Sequence, residues 1–176
     1  MKRIESTVLV LLVLYMPLAA APQSGPLSAY IVPSGRTLQQ RYLYTTTPEL
    51  GFLNLQVILT NVSQKPVTIW AQGSSWSHEN MSFEVTRNGV KRHIVREPIG
   101  WDSNVPRPFT LLPKEHYVFR VGFHHDGWPR DWLPERFSGQ VYTIRAIYRI
   151  KPEEPAKEFG VWAGTVSSIP LDFVIN

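Results

Sequence analysis

In the stretch FLNLQVILTN, Leu53, Leu55, Val57 and Leu59 fall on one side of an extended chain. Asn54, Gln56 and Thr60 fall on the other, with Ile58 the exception. Side chains of a strand point alternately to its two faces, so this rhythm predicts a strand buried on one side. It returns in HYVFRVGF, where Tyr117, Phe119, Val121 and Phe123 share a face. In GQVYTIRAIYRI, Tyr142, Ile144, Ala146, Tyr148 and Ile150 alternate with Thr143, Arg145 and Arg149. The closing run LDFVI sets Leu171, Phe173 and Ile175 on one side, and PVTIWA and FTLL predict two shorter strands. Between Ser82–Arg87 and Val90–Val95 stands Asn88-Gly89, a pair suited to the positive φ angles of a type I′ turn, which predicts a hairpin. NVSQKP and Pro113–Glu115 read as turns, REPIGWDSNVPRP as a proline-rich loop, and KPEEPAKE as a solvated turn. Ahead of these, edge strands are expected at Ala29–Val32 and Arg41–Thr45, because Pro33 and Pro48 suit only an edge or a break.

Outside the first twenty residues, no segment repeats apolar residues at i, i+3, i+4 and i+7, and the 15 prolines oppose helices. About eight short strands separated by turn signals predict an all-β, antiparallel sandwich or barrel. The expected organisation is a leader over residues 1–20, a segment with edge strands over 21–50, and one β domain over 51–176.

The leader is set apart by its composition. Lys2 and Arg3 precede an apolar run from Val8 to Met16, and Pro17 leads into Ala19, Ala20 and Ala21. A basic start, a short apolar core and small residues at the exit predict a signal peptide, with cleavage after Ala20. The apolar run is shorter than the ~20 residues a membrane-spanning helix needs. No second run of spanning length follows, so a secreted or periplasmic chain without a transmembrane segment is expected. The absence of cysteine excludes a disulfide framework, a thiolate metal site and a lipid anchor on cysteine. Such a domain has burial alone to hold it, and a chain of ~150 residues buries roughly 68–70% of its unfolded surface. Taking Lys2, Arg3 and Glu5 away from 18 basic and 14 acidic residues leaves 16 and 13, a net charge of +3. That mild excess lacks the dense basic clustering of a nucleic-acid binder, so no nucleic-acid partner is expected.

LNLQVILTNVSQKPVTIW, LLPKEHYVFRVGF, GQVYTIRAIYRI and GTVSSIPLDFVI together resemble secreted bacterial immunoglobulin-like sandwich domains. In these, a TN.S..P turn, an L.P.E turn, a G.Y.IRA.Y strand and a closing G...S strand recur in this order. The chain also resembles, more faintly, the bacterial proteinase-inhibitor domain of the same architecture. Tyr142 resembles the corner tyrosine of immunoglobulin-like domains, whereas the cysteine pair of antibody domains is missing. The resemblance implies an immunoglobulin-like β-sandwich and supplies no catalytic residue.

Several constellations carry candidate chemistry. HHDGWPRDW, residues 124–132, brings two histidines, two aspartates and two tryptophans together. Imidazole and carboxylate are good zinc or copper ligands, which makes His125 and Asp126 weak metal candidates. On a continuing strand, however, His124 and His125 point to opposite faces and cannot reach one ion. The favoured reading is a connecting loop anchored by Trp128 or Trp132, with no metal and no cofactor. The loop tryptophans Trp76, Trp101, Trp128 and Trp132 have two readings: rings folded back over an open end of the sandwich, or a flat binding platform. On the platform reading, Trp101, Trp128, Trp132 and Arg130 are the candidate binding residues. His116, Arg120 and His124 share one strand face, and Arg145 and Arg149 another. The two strands are expected in different sheets, so these charges read as solvated faces. GSSWSHEN sets Ser75, His78 and Glu79 close together, and a polar turn is favoured there over a nucleophile–base pair. Asn61-Val-Ser63 and Asn80-Met-Ser82 match the N-glycosylation pattern, which matters only in a eukaryotic secretory route. No G-x-S-x-G, H-E-x-x-H or phosphate-loop signature is present. The expected role is that of an exported, non-enzymatic binding or structural module acting on a protein at the cell exterior or in the periplasm; the alternatives are a glycan-binding module, a proteinase-inhibitor-like domain and, last, a metal-dependent enzyme.

Overall fold

The structure is a computed structural model that describes residues 25–33, 54–101, 104–123, 127–129 and 141–174. These form an antiparallel all-β assembly of several sheets with two one-turn helices. The elements are β1 (Leu27–Pro33), β2 (Asn54–Asn61), β3 (Val67–Trp70), α1 (Ser75–His78), β4 (Met81–Arg87) and β5 (Val90–Val95). After them come β6 (Pro108–Leu111), β7 (His116–Gly122), β8 (Val141–Ile150), α2 (Glu154–Glu158), β9 (Gly164–Ser167) and β10 (Leu171–Val174). The leader and the expected strand Arg41–Thr45 lie outside the described residues. Among the described residues, no helix is long and apolar enough to cross a membrane.

One sheet runs β1-β2-β7; a second runs β10-β8-β4-β5, with β9 also paired to β8; β3 and β6 form a separate ribbon. The period-two rhythm decides which face each strand buries. Leu55, Val57 and Leu59 of β2 are buried, as are Phe119 and Val121 of β7 and Phe123 just beyond it. Tyr142, Ile144, Ala146, Tyr148 and Ile150 of β8 point into the same interior. The two larger sheets meet there: the Phe119 ring lies 5.3 Å from Tyr148, and Phe83 lies 5.0 Å from Phe123. The Asn88-Gly89 hairpin forms as expected, with φ of 48° and 77°, and its register sets Arg87 opposite Val90 and Glu84 opposite His93.

Two of the turns dock on each other. Asn61, with no exposed surface, donates through Nδ2 to the carbonyls of Lys65 (2.8 Å) and Leu111 (2.9 Å). Its Oδ1 accepts from the Ser63 amide (2.9 Å) and hydroxyl (2.8 Å). Its backbone N–H donates to the Glu115 carbonyl, and its carbonyl accepts from the Lys114 amide. One asparagine thus closes its own turn and fastens it to the Pro113–Glu115 turn. The edge of β7 that no strand covers among the described residues is managed differently. The Gln72 side chain donates to the Arg120 carbonyl and accepts from the Arg120 amide, each at 3.0 Å, as a neighbouring strand would.

The structure departs from the sequence expectation at the helices, since none was predicted. Ser75–His78, read as a polar turn, closes one helical turn because the Ser77 amide and hydroxyl both donate to the Ser74 carbonyl. Glu154–Glu158, inside the solvated turn, does so with Pro155 near its start, where the missing N–H has no intrahelical partner to lose. Each is too short to show a helical period in sequence.

Candidate functional site

The outer face of the second sheet carries a groove of about 630 Å3. Its floor follows from the strand register. Ser82 on β4 lies between Val95 on β5 and Ile147 on β8, so a small hydroxyl occupies the middle of a row with bulkier ends. The next row sets Glu84 between His93 and Arg145. In the other direction, Arg149 follows Ile147 on the same face, opposite Thr165. Walls rise where the chain leaves the sheet: α1 brings Trp76 and Glu79, and the α2 segment brings Glu153 and Pro155. The Trp76 ring rests against Trp70 at 6.0 Å, and Trp70 in turn meets Phe159 at 5.6 Å. Asn80 donates to the Trp76 carbonyl at 2.7 Å, which ties the end of α1 down beside the groove.

Two polar contacts organise the floor. His93 Nε2 and Ser82 Oγ are 3.0 Å apart. Glu84 accepts from Lys91 at 3.2 Å and faces Arg145 at 3.8 Å, so its charge is met from both flanks. A Ser–His contact of this length is the starting geometry of a nucleophile and its base. Acyl transfer further requires hydrogen-bond donors aimed at the developing oxyanion. Here β4 pairs with β5 on one side and β8 on the other, so the backbone amides around Ser82 are engaged in ladders. The floor therefore offers side-chain recognition, with a hydroxyl, an imidazole, a carboxylate and a guanidinium on one open surface.

The residues singled out in the sequence are distributed otherwise. Trp128 is 4% exposed and packs among Phe83 (5.2 Å) and Phe123 (5.3 Å), with the Arg96 guanidinium 4.9 Å above its ring. Its ring lies in the core, where it anchors its loop. Trp101 is half-buried against the edge of His78, at 5.8 Å. Arg130 and Trp132 lie outside the described residues, as do His124, His125 and Asp126. Among the described residues, no group of three or more histidine, aspartate or glutamate side chains could hold a metal ion. Ser75 and His78 do not pair: Ser75 Oγ accepts from Asn104, while His78, 5% exposed, contacts the Glu97 carbonyl through Nε2 at 2.8 Å. The Glu97 amide reaches the Gly127 carbonyl at 2.7 Å, so His78 helps dock two loops. His116 and Arg120 are exposed on the first sheet, and Arg145 and Arg149 belong to the second, as expected. In both sequons the asparagine amide is engaged, at Asn61 by two carbonyls and at Asn80 by one.

Sequence reading passed over Ser82, Glu84 and His93 as a group. The signal was present in the two-residue hairpin turn, which fixes Glu84 opposite His93 and leaves Ser82 one diagonal step away. Burial pushes the Tyr148 phenol well above its ordinary range, the nearby Tyr117 adding to the effect against the opposing influence of the Trp70 backbone and Asn80. Comparison of the chain with protein-family models, with curated proteins and with solved structures found no match.

Proposed function

We propose that this chain is an exported, non-catalytic binding module with the architecture of an immunoglobulin-like β-sandwich, and that it takes its partner in the groove beside Trp76. The observation that carries the reading is the groove itself. Its volume of about 630 Å3 falls within the usual ligand-pocket range of ~300–1,000 Å3, with polar side chains converging on a floor between aromatic and helical walls. Non-catalytic action is supported by the engaged amides around Ser82. Export is supported by the basic, apolar and small-residue succession of the first twenty residues.

The architecture draws its support from strand order. A sheet of β1-β2-β7 facing one of β10-β8-β4-β5 corresponds to strands A-B-E facing G-F-C-C′ of an immunoglobulin-like domain. A buried Tyr142 near the start of β8, the strand that would be F, supports the same reading. The test of the groove uses the exported chain, immobilised and exposed to the exterior fraction of cells that secrete it. The control is Ser82→Tyr, whose ring would stand over the floor. Retention by the native chain, lost in Ser82→Tyr at an unchanged melting temperature, is the expected result. Equal retention by both, or none by either, overturns the reading.

A further inference from the structure

We infer that the groove is built for an uncharged oligosaccharide, an assignment that rests on the binding role proposed above and names its ligand class. Three observations converge on it. The first is charge. Glu79, Glu84 and Glu153 on the lining are offset by Arg149 and Lys151, with His93 between them, so the surface has no strong field for a polyanion or a polycation. Glu84 in particular is already met by Lys91 and Arg145.

The second is the aromatic wall. Trp76 is half-buried and braced by Trp70, and the Asn80 contact holds the turn that carries it. A stiffly held indole beside hydrogen-bonding side chains suits a ligand that alternates C–H faces with hydroxyl edges, as a pyranose ring does. Ser82, His93, Glu84 and Arg149 supply donors and acceptors of differing kinds along the floor, and the planar guanidinium and carboxylate can each engage two neighbouring hydroxyls.

The third is what the floor withholds. An extended peptide gains most when it adds a strand to an open sheet edge and forms main-chain hydrogen bonds. The centre of this groove is the face of β4 and β8, with β4 flanked by strands on both sides; the end strand β5 contributes only the side chains of His93 and Val95 at its rim. A peptide lying there meets side chains only. A saccharide needs nothing more than side chains, so the sheet face favours it over the protein partner expected from sequence.

The test titrates the exported chain with uncharged hexasaccharides of glucose, N-acetylglucosamine, mannose and xylose. Hexagalacturonate serves as the charged comparison, and calorimetry and tryptophan fluorescence are the readouts. Saturable binding of at least one uncharged hexamer below millimolar concentration is expected. Trp76→Ala and Ser82→Tyr should each weaken it at least tenfold, while Trp76→Phe should keep most of it. Should Trp76→Ala lower the melting temperature sharply, Arg149→Ala, on the exposed lining, takes its place with the same expected loss. Absence of binding to every uncharged hexamer at millimolar concentration overturns the assignment, as does a preference for hexagalacturonate or binding untouched by the groove variants. If no hexamer binds yet Ser82→Tyr still abolishes retention of a protease-sensitive partner from the exterior fraction, the ligand class fails while the groove remains the binding site. If both experiments fail, both readings fall together.

Discussion

Replacing Asn61 with alanine tests whether the two docked turns hold the sandwich together. The side chain makes four hydrogen bonds, two donated and two accepted, and is fully buried. Their loss is unequal. Without Asn61 Oδ1 to share it, the single Ser63 hydroxyl proton is free to go to the Lys65 carbonyl, 2.9 Å away, and Ser63 is close enough to the surface to reach water. The Leu111 carbonyl is buried at this contact and loses its side-chain donor. Because Leu111 stays paired with Val67 in the ladder, hydrogen bonds are lost and no buried group is orphaned; at about 1 kcal/mol for each bond not replaced, a total of ~3 kcal/mol is expected. For a chain of this length that corresponds to a fall in melting temperature of roughly 6–12 °C. Thermal and urea unfolding followed by circular dichroism would measure it, with Ser63→Ala as the reference. Ser63→Ala removes only hydroxyl contacts near the surface and should lose less than about 1 kcal/mol. If Asn61→Ala loses no more than Ser63→Ala, the turn-to-turn fastening contributes nothing net, and the account of how this cysteine-free fold closes is wrong.

Two further outcomes follow from the core. Trp128→Ala empties a site shared with Phe83 and Phe123 and should destabilise by about 3–5 kcal/mol, removing in the same step a blue-shifted, quencher-resistant component of the tryptophan emission; a loss under about 1 kcal/mol would mean the ring is not a core anchor. Tyr148 is buried, and its hydroxyl lies near the Trp70 backbone and Asn80 without completing a well-formed hydrogen bond among the described residues. Burial raises its phenol above the ordinary 10.0, so the neutral form is favoured in the fold. The stability tied to that neutral form is intact below pH ~10 and lost as pH climbs beyond it. Tyr148→Phe should therefore be neutral or stabilising by up to ~1 kcal/mol at pH 7 and should flatten the alkaline decline, as read from urea midpoints between pH 8 and 11; an equally steep decline in the variant removes Tyr148 as its source.

Much of the strand inventory was legible along the chain because a half-buried strand writes its burial into every second residue. The alternation from Tyr142 to Ile150 and the inward set Phe119, Val121 and Phe123 needed no partner to be read. The Asn88-Gly89 turn carried further, since two residues at positive φ leave one register and thereby place Glu84 across from His93. The short helices were not legible, because a single turn has no period and depends on local contacts such as those between Ser74 and Ser77. Nor was the groove. Its floor exists only because β8 lies beside β4 with Ile147 next to Ser82, and its wall only because Trp76 leans on Trp70. Those pairings join residues far apart in sequence, and several strands of similar pattern could have competed for each neighbour. Periodicity determines which face of a strand is buried; the choice of neighbours belongs to the packing of the whole core, and with it the place where polar side chains come together.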